Sequence, residues 1–154
     1  MNIRPTPLVY FARAVDGLVR DEIVAAAGAL GAALGAAGMR LVDPVAAWWS
    51  AQDDRAAAPS VEDLVRSDLG LLRRADGVLM DLSLPMRDYV GCICELTYAH
   101  MWHIPSVVWV GDTGLDQRVW LRYHATAIVF DKMTAIATLR RLLTAPSGSS
   151  SPTG

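Results

Sequence analysis

Charge is scarce in this chain. Of its 154 residues only 19% are Asp, Glu, Lys or Arg, and acids and bases nearly cancel to a formal net charge of −2. A protein that meets nucleic acid through bulk electrostatics needs a basic face, so the balance argues against such a partner. Cysteine is scarcer still, with Cys92 and Cys94 alone. Two positions apart on a helix, they point to different sides, which supports neither a disulfide nor a zinc site. No basic segment followed by an apolar one opens the chain, so no secretion signal is read, and a cytoplasmic location is expected. The longest apolar run, Ile23 to Met39, is interrupted by glycine and too rich in small residues for a membrane span. No internal repeat is present.

Apolar residues, in contrast, make up 53% of the chain. That is enough for one domain with a real core, over residues 1–144. The tail APSGSSSPTG, 145–154, is low in complexity and reads as disordered. A chain this apolar commonly covers part of its surface in an oligomer.

Leu8 to Ala12, Met39 to Val42, Gly77 to Asp81, Ser106 to Val110 and Ala127 to Phe130 read as five short strands. Helical stretches lie between and after them, at Asp21–Ala37, from Pro44 through Trp48 and Trp49, from Ser60 to about Arg74, at Gly91–Trp102 and at Lys132–Leu143. Ser60 with Asp63 three residues on is an N-cap signal. Gly28, Gly31 and Gly35 weaken the first helix and suggest close packing against a neighbour. Asp53 to Ser60 and Gly111 to Gln117 read as loops. Strands that are nearly all apolar, alternating with helices, predict an α/β fold with a five-stranded parallel sheet. Helices cover both faces, giving a Rossmann-like or flavodoxin-like three-layer sandwich. In such a sheet, ligands bind outside the carboxyl ends of the strands.

One segment stands out there: DLSLPMRDYVGCICELTYAHMW, residues 81–102. Glu95 lies about one turn inside an otherwise apolar helix that follows a strand and a turn-rich loop. A carboxylate in that place is costly unless it is paired or used. The other reading, a surface glutamate, fits poorly with Ile93, Leu96, Ala99 and Met101 around it.

Three ordered pieces carry a family resemblance. VYFARAVDG (9–17), SDLGLLRRADGVLMDLS (67–83) and DYVGCICELTYAH (88–100) are similar to the opening strand and turn, the aspartate-bearing segment and the glutamate-bearing helix of the nucleoside 2-deoxyribosyltransferase superfamily. Within it the chain most resembles the cytidylate N-glycosidases, which release base from CMP or its hydroxymethyl derivative. The resemblance spans roughly residues 8–143. It implies a nucleotide hydrolase with Glu95 as nucleophile and Asp68 assisting the leaving base. The alternatives are a deoxyribosyltransferase or a non-catalytic nucleotide-binding module on the same fold.

The same resemblance assigns substrate contacts. Tyr10 and Phe11 match the opening aromatic pair, which is otherwise ordinary core. Asp16 and Gly17 occupy the first turn, where related hydrolases carry arginine at the place of Asp16. Arg13 reads as a contact to base edge or phosphate, or as a plain loop arginine. Asp81 and Asp88 are sugar-binding candidates or structural loop acids. Asp68 is otherwise a solvated charge beside Arg66 or Arg73. Gly91 opens a helix whose N-terminus suits a phosphate. Arg87, Arg118, Arg122 and His124 are the candidate cationic partners. Of these, Arg118 or Arg122 is expected to act across a homodimer interface, so that the neighbouring chain completes the site. Trp48 and Trp49 read as core or as a cover over the base. His100 and His103 lack a third ligand, so no metal is expected, and no cofactor is implied.

Overall fold

The computed structural model describes residues 5–53 and 57–145. Strand β1 (Leu8–Arg13) leads to helix α1 (Arg20–Ala36), strand β2 (Arg40–Val42) and helices α2 (Pro44–Asp53) and α3 (Val61–Arg73). Strand β3 (Gly77–Asp81), helix α4 (Val90–Met101), strand β4 (Ser106–Trp109), helix α5 (Val119–His124), strand β5 (Ala127–Val129) and helix α6 (Lys132–Thr144) follow. All strands are parallel, in the order β2-β1-β3-β4-β5, which is the flavodoxin-like arrangement.

The period of two along a strand sorts the core into layers. Tyr10 and Ala12 of β1, with Val78 and Met80 of β3, pack beneath Leu72, Leu96, Ala99 and Leu121 of α3, α4 and α5. Val9 and Phe11, with Leu79, face Leu30 and Leu34 of α1 and Ile136 and Leu139 of α6 on the other side. Strands buried on both faces explain why the runs carry no polar alternation.

Helix starts are fixed by side chains where the sequence signals them. Ser60 Oγ accepts the Asp63 N–H at 3.1 Å, and Asp131 Oδ1 accepts the Thr134 N–H at 2.8 Å. The glycines of α1 depart from expectation. Of the three, only at Gly31 would a Cβ meet a neighbour, at an ordinary 3.6 Å from the Leu41 side chain, whereas one at Gly28 or Gly35 would meet nothing within 4 Å. These two positions lie on the exposed side of the helix, so close packing does not account for them.

Helix α5 is not legible in the sequence. Its residues, VWLRYH, include poor helix formers, and only Leu121 and His124 are buried. Packing against α4 holds it, and tertiary contact overrides propensity in so short a segment. A 3-10 turn at Leu115–Gln117 also interrupts the expected loop at 111–117. The middle of the expected loop at 53–60, and all but the first residue of the expected disordered tail, lie outside the described residues. Among the described residues no helix is long and apolar enough to cross a membrane.

β1 and β3 are neighbours, yet the chain leaves β1 for β2 on one side and later fills the other. The connections after β1 and β3 therefore diverge, and their carboxyl ends open a crevice.

Candidate active site

Glu95 lies in the second turn of α4, beside that crevice. Tyr10 is on the β1 face that meets α3 and α4, so its side chain reaches the same place. Its hydroxyl donates to Glu95 Oε1 at 2.5 Å, joining residues far apart in sequence. Burial pushes the Glu95 carboxyl up to about 7, with the donated bond opposing the rise and the charge of Asp68 adding to it. Burial likewise raises Asp68, on α3, to about 6. The Tyr10 phenol is driven above its ordinary value by burial and then by Glu95, so it stays a protonated donor. Two carboxyls that titrate near neutrality and sense each other share protons as a pair.

Both acids line one cavity of about 370 Å³. That size suits a small molecule. β1 and the turn after it supply Phe11, Arg13 and Asp16, and the start of α4 supplies Asp88 and Gly91. The α2 side contributes Pro44, Val45, Trp48 and Trp49.

Arg13 ends β1, and its side chain is only 6% exposed. Nη2 donates to Asp43 Oδ2 at 2.7 Å and Nη1 to the Ile23 carbonyl at 3.0 Å. Burial lowers the guanidinium pKa, and Asp43 opposes that shift. Asp16 is exposed, and its carbonyl accepts from Arg87 Nη1 at 2.6 Å. Gly17 has φ +77°, and a Cβ there would meet Arg87 Nη1 at 2.8 Å. The positive φ favours glycine at this turn, whereas the contact is with the mobile end of the Arg87 side chain. Asp88 Oδ1 accepts the Val90 N–H at 2.9 Å, which anchors the start of α4. A Cβ at Gly91 would meet nothing within 4 Å, so the backbone there is open to approach.

Other expected contacts fall elsewhere. Asp81 Oδ1 accepts the Ser83 N–H at 2.9 Å and the Ser83 hydroxyl at 2.6 Å, closing the turn after β3, and it does not line the cavity. Arg118 lines a separate apolar cavity with Tyr89, Ile93 and Trp120. Arg122 is exposed on α5. His124 is buried, stacked on Trp120, and its Nδ1 lies 2.8 Å from the Trp120 carbonyl. Within this chain, then, Arg13 is the one basic residue among the described cavity walls.

The pairing of Asp43 with Arg13, beside the site, is a feature that the sequence reading missed. A signal existed: an arginine ending a buried strand needs a partner, and Asp43 follows the adjacent strand. Cys92 is buried and Cys94 exposed, both as free thiols. Among the described residues no group of three or more His, Cys, Asp or Glu side chains is placed to hold a metal.

No protein-family model matches the chain, and no curated protein matches it. Solved structures do. A 2-deoxyribosyltransferase from the psychrotolerant bacterium Bacillus psychrosaccharolyticus aligns with a TM-score of 0.63 at 15% identity, covering 86% of this chain and 90% of that one. A conserved protein from Enterococcus faecalis V583 aligns with a TM-score of 0.62 at 14% identity, covering 87% of this chain and 99% of that one. At such identities the likeness establishes a shared fold.

Proposed function

We propose that the protein hydrolyses the N-glycosidic bond of a pyrimidine nucleoside 5′-monophosphate, CMP or 5-hydroxymethyl-CMP, to free base and ribose 5-phosphate. The observation that carries this reading is Glu95, half-buried, held by the Tyr10 hydroxyl at 2.5 Å and sharing with Asp68 the walls of a cavity at the sheet's switch point. Cleavage of this bond builds positive charge on the sugar, and a carboxylate below C1′ stabilises or captures it.

The steps balance with these groups alone. Glu95, ionised, attacks C1′ as the C1′–N bond breaks and its electron pair leaves with the base. Asp68, protonated, delivers a proton to that base. Water then attacks C1′, returns a proton to the Asp68 carboxylate and frees Glu95. Tyr10 positions Glu95 and favours its ionised form.

Phosphate is assigned to the N-terminal turn of α4 at Gly91, where backbone N–H groups lack intrahelical acceptors. Asp88 already occupies part of that terminus, so cationic help is required. We assign it to Arg118 or Arg122 of a second copy, in a homodimer that completes each site. Asp16 and Phe11 shape the remaining wall.

A second reading, transfer of deoxyribose to another base, is favoured by the likeness in fold to a 2-deoxyribosyltransferase. Product chromatography separates the two. Free base from CMP, and none from cytidine, is the expected result. Base release only when a second base is supplied, with a new nucleoside formed, would replace hydrolysis by transfer. No release from any nucleotide would remove both.

A further inference from the structure

Two connections at the carboxyl end of the sheet form walls of the cavity. Val15 and Asp16, in the turn after β1, line one side, and Asp88 and Gly91, where α4 begins, line another. Each connection is braced within itself. The Leu18 N–H donates to the Val15 carbonyl at 3.1 Å, around Asp16 and a Gly17 with φ +77°. This is the pattern of a type II turn, whose closing bond leaves the Asp16 carbonyl unused. In the loop before α4, the Tyr89 hydroxyl donates to the Leu84 carbonyl at 2.7 Å, and Asp88 holds the Val90 N–H.

Among the described residues, one side chain joins these two units by a hydrogen bond. Arg87 Nη1 donates to the Asp16 carbonyl at 2.6 Å, and the bond lies in an exposed place, at the rim. Among the described residues no carboxylate forms an ion pair with Arg87, so none competes with that carbonyl. The turn leaves room for the guanidinium, because Gly17 has no Cβ to stand 2.8 Å from Nη1. Met86, the residue before Arg87, holds φ +55°, a left-handed conformation unfavourable for any residue with a Cβ. Its side chain is fully exposed, so no packing of its own accounts for that backbone. What the bend does is turn the chain so that Arg87 spans to the opposite connection. Arg87 is half-buried where Leu84, Pro85 and Met86 are exposed, and it stays outside the cavity lining.

Resting on the proposed reaction, we infer that Arg87 is a positioning residue. It straps the turn after β1 to the loop before α4 and so fixes the gap between the walls that hold the nucleotide. Tyr10, Asp68 and Glu95 stand on β1, α3 and α4, outside both connections. Loss of the strap therefore loosens substrate binding and spares the reacting groups.

The test uses Arg87→Met, which keeps the stem and removes the donors. Amide exchange at Leu18 is followed by NMR in the ligand-free protein. CMP affinity and the single-turnover rate of base release are measured beside it. Leu18, far from position 87 in sequence, is expected to exchange about fivefold faster. CMP is expected to bind roughly tenfold more weakly, with the rate at saturation unchanged within about threefold. Weaker binding with Leu18 exchange unmoved would overturn the inference and make Arg87 a direct contact to the nucleotide. Faster exchange with CMP affinity unmoved would overturn it as well. So would exchange accelerated throughout the sheet, since Arg87 would then support the fold as a whole. Absence of CMP binding by the parent overturns it too. Faster Leu18 exchange and weaker CMP binding, with no base release from the parent, leave the strap standing and remove the hydrolase.

Discussion

At the residue scale, activity turns on protonation. The proposed productive form has Glu95 ionised and Asp68 protonated, and the pair titrates at about 7 and about 6. The resulting kcat/KM profile is a bell whose limbs lie near those values. The Tyr10 hydroxyl lowers the Glu95 value, so Tyr10→Phe lets Glu95 hold its proton to higher pH. Sign follows from the ordering. With Glu95 the weaker acid, its further rise moves the alkaline limb upward and shrinks the productive fraction, about tenfold for each pH unit the limb moves. A pH profile of the variant is expected to show a lower maximum and a displaced alkaline limb; a uniform loss with unmoved limbs would assign Tyr10 to packing alone. Glu95 itself is legible in the sequence, because a lone acid in an apolar helix after a strand needs a reason. Its bond to Tyr10 is not, because only the fold decides which face of β1 meets α4. For Arg13 the residue pattern permits base, phosphate or solvent, and the pairing with Asp43 is what narrows the choice.

At the element scale, the strands are readable as apolar runs, and helix α3 by its cap at Ser60. The glycines of α1 mislead, and the reason is directional: periodicity locates a helix but does not say which neighbour touches each position. Gly28 lies on the exposed side, and a Cβ placed there has nothing within 4 Å. Gly28→Ala is therefore expected to stabilise the fold by about 0.5–1 kcal/mol, read as a raised denaturation midpoint. Gly77 is the opposite case, since a Cβ there would lie 2.9 Å from Leu139 Cδ1. Gly77→Ala is expected to lower the midpoint unless α6 shifts. Equal effects at both positions would show that backbone entropy, and not contact, governs them. Helix α5 escapes the sequence because its stability comes from α4 and not from its own residues.

At the scale of the whole molecule, a group of large apolar side chains is left exposed on α5 and the end of α4. Trp120 is 74% exposed, Val119 76%, Tyr123 69% and Met101 65%, on the adjoining helices α5 and α4. Exposed apolar patches are commonly where proteins meet partners. The proposed homodimer places this group at the interface, beside Arg118 and Arg122. Sedimentation velocity is expected to show a dimer for the parent and a monomer for Trp120→Asp; a monomeric parent would leave the phosphate without its assigned cations. The sequence shows apolar excess but not where it surfaces, since that depends on which helix faces the sheet already covers. The central claim, that Glu95 acts on C1′, is tested most directly by single-turnover cytosine release from CMP in the parent and in Glu95→Gln, with CMP affinity measured beside it. The expected result is affinity within a few-fold and a rate lowered roughly a thousandfold or more. Release at the parent's rate by Glu95→Gln would contradict it.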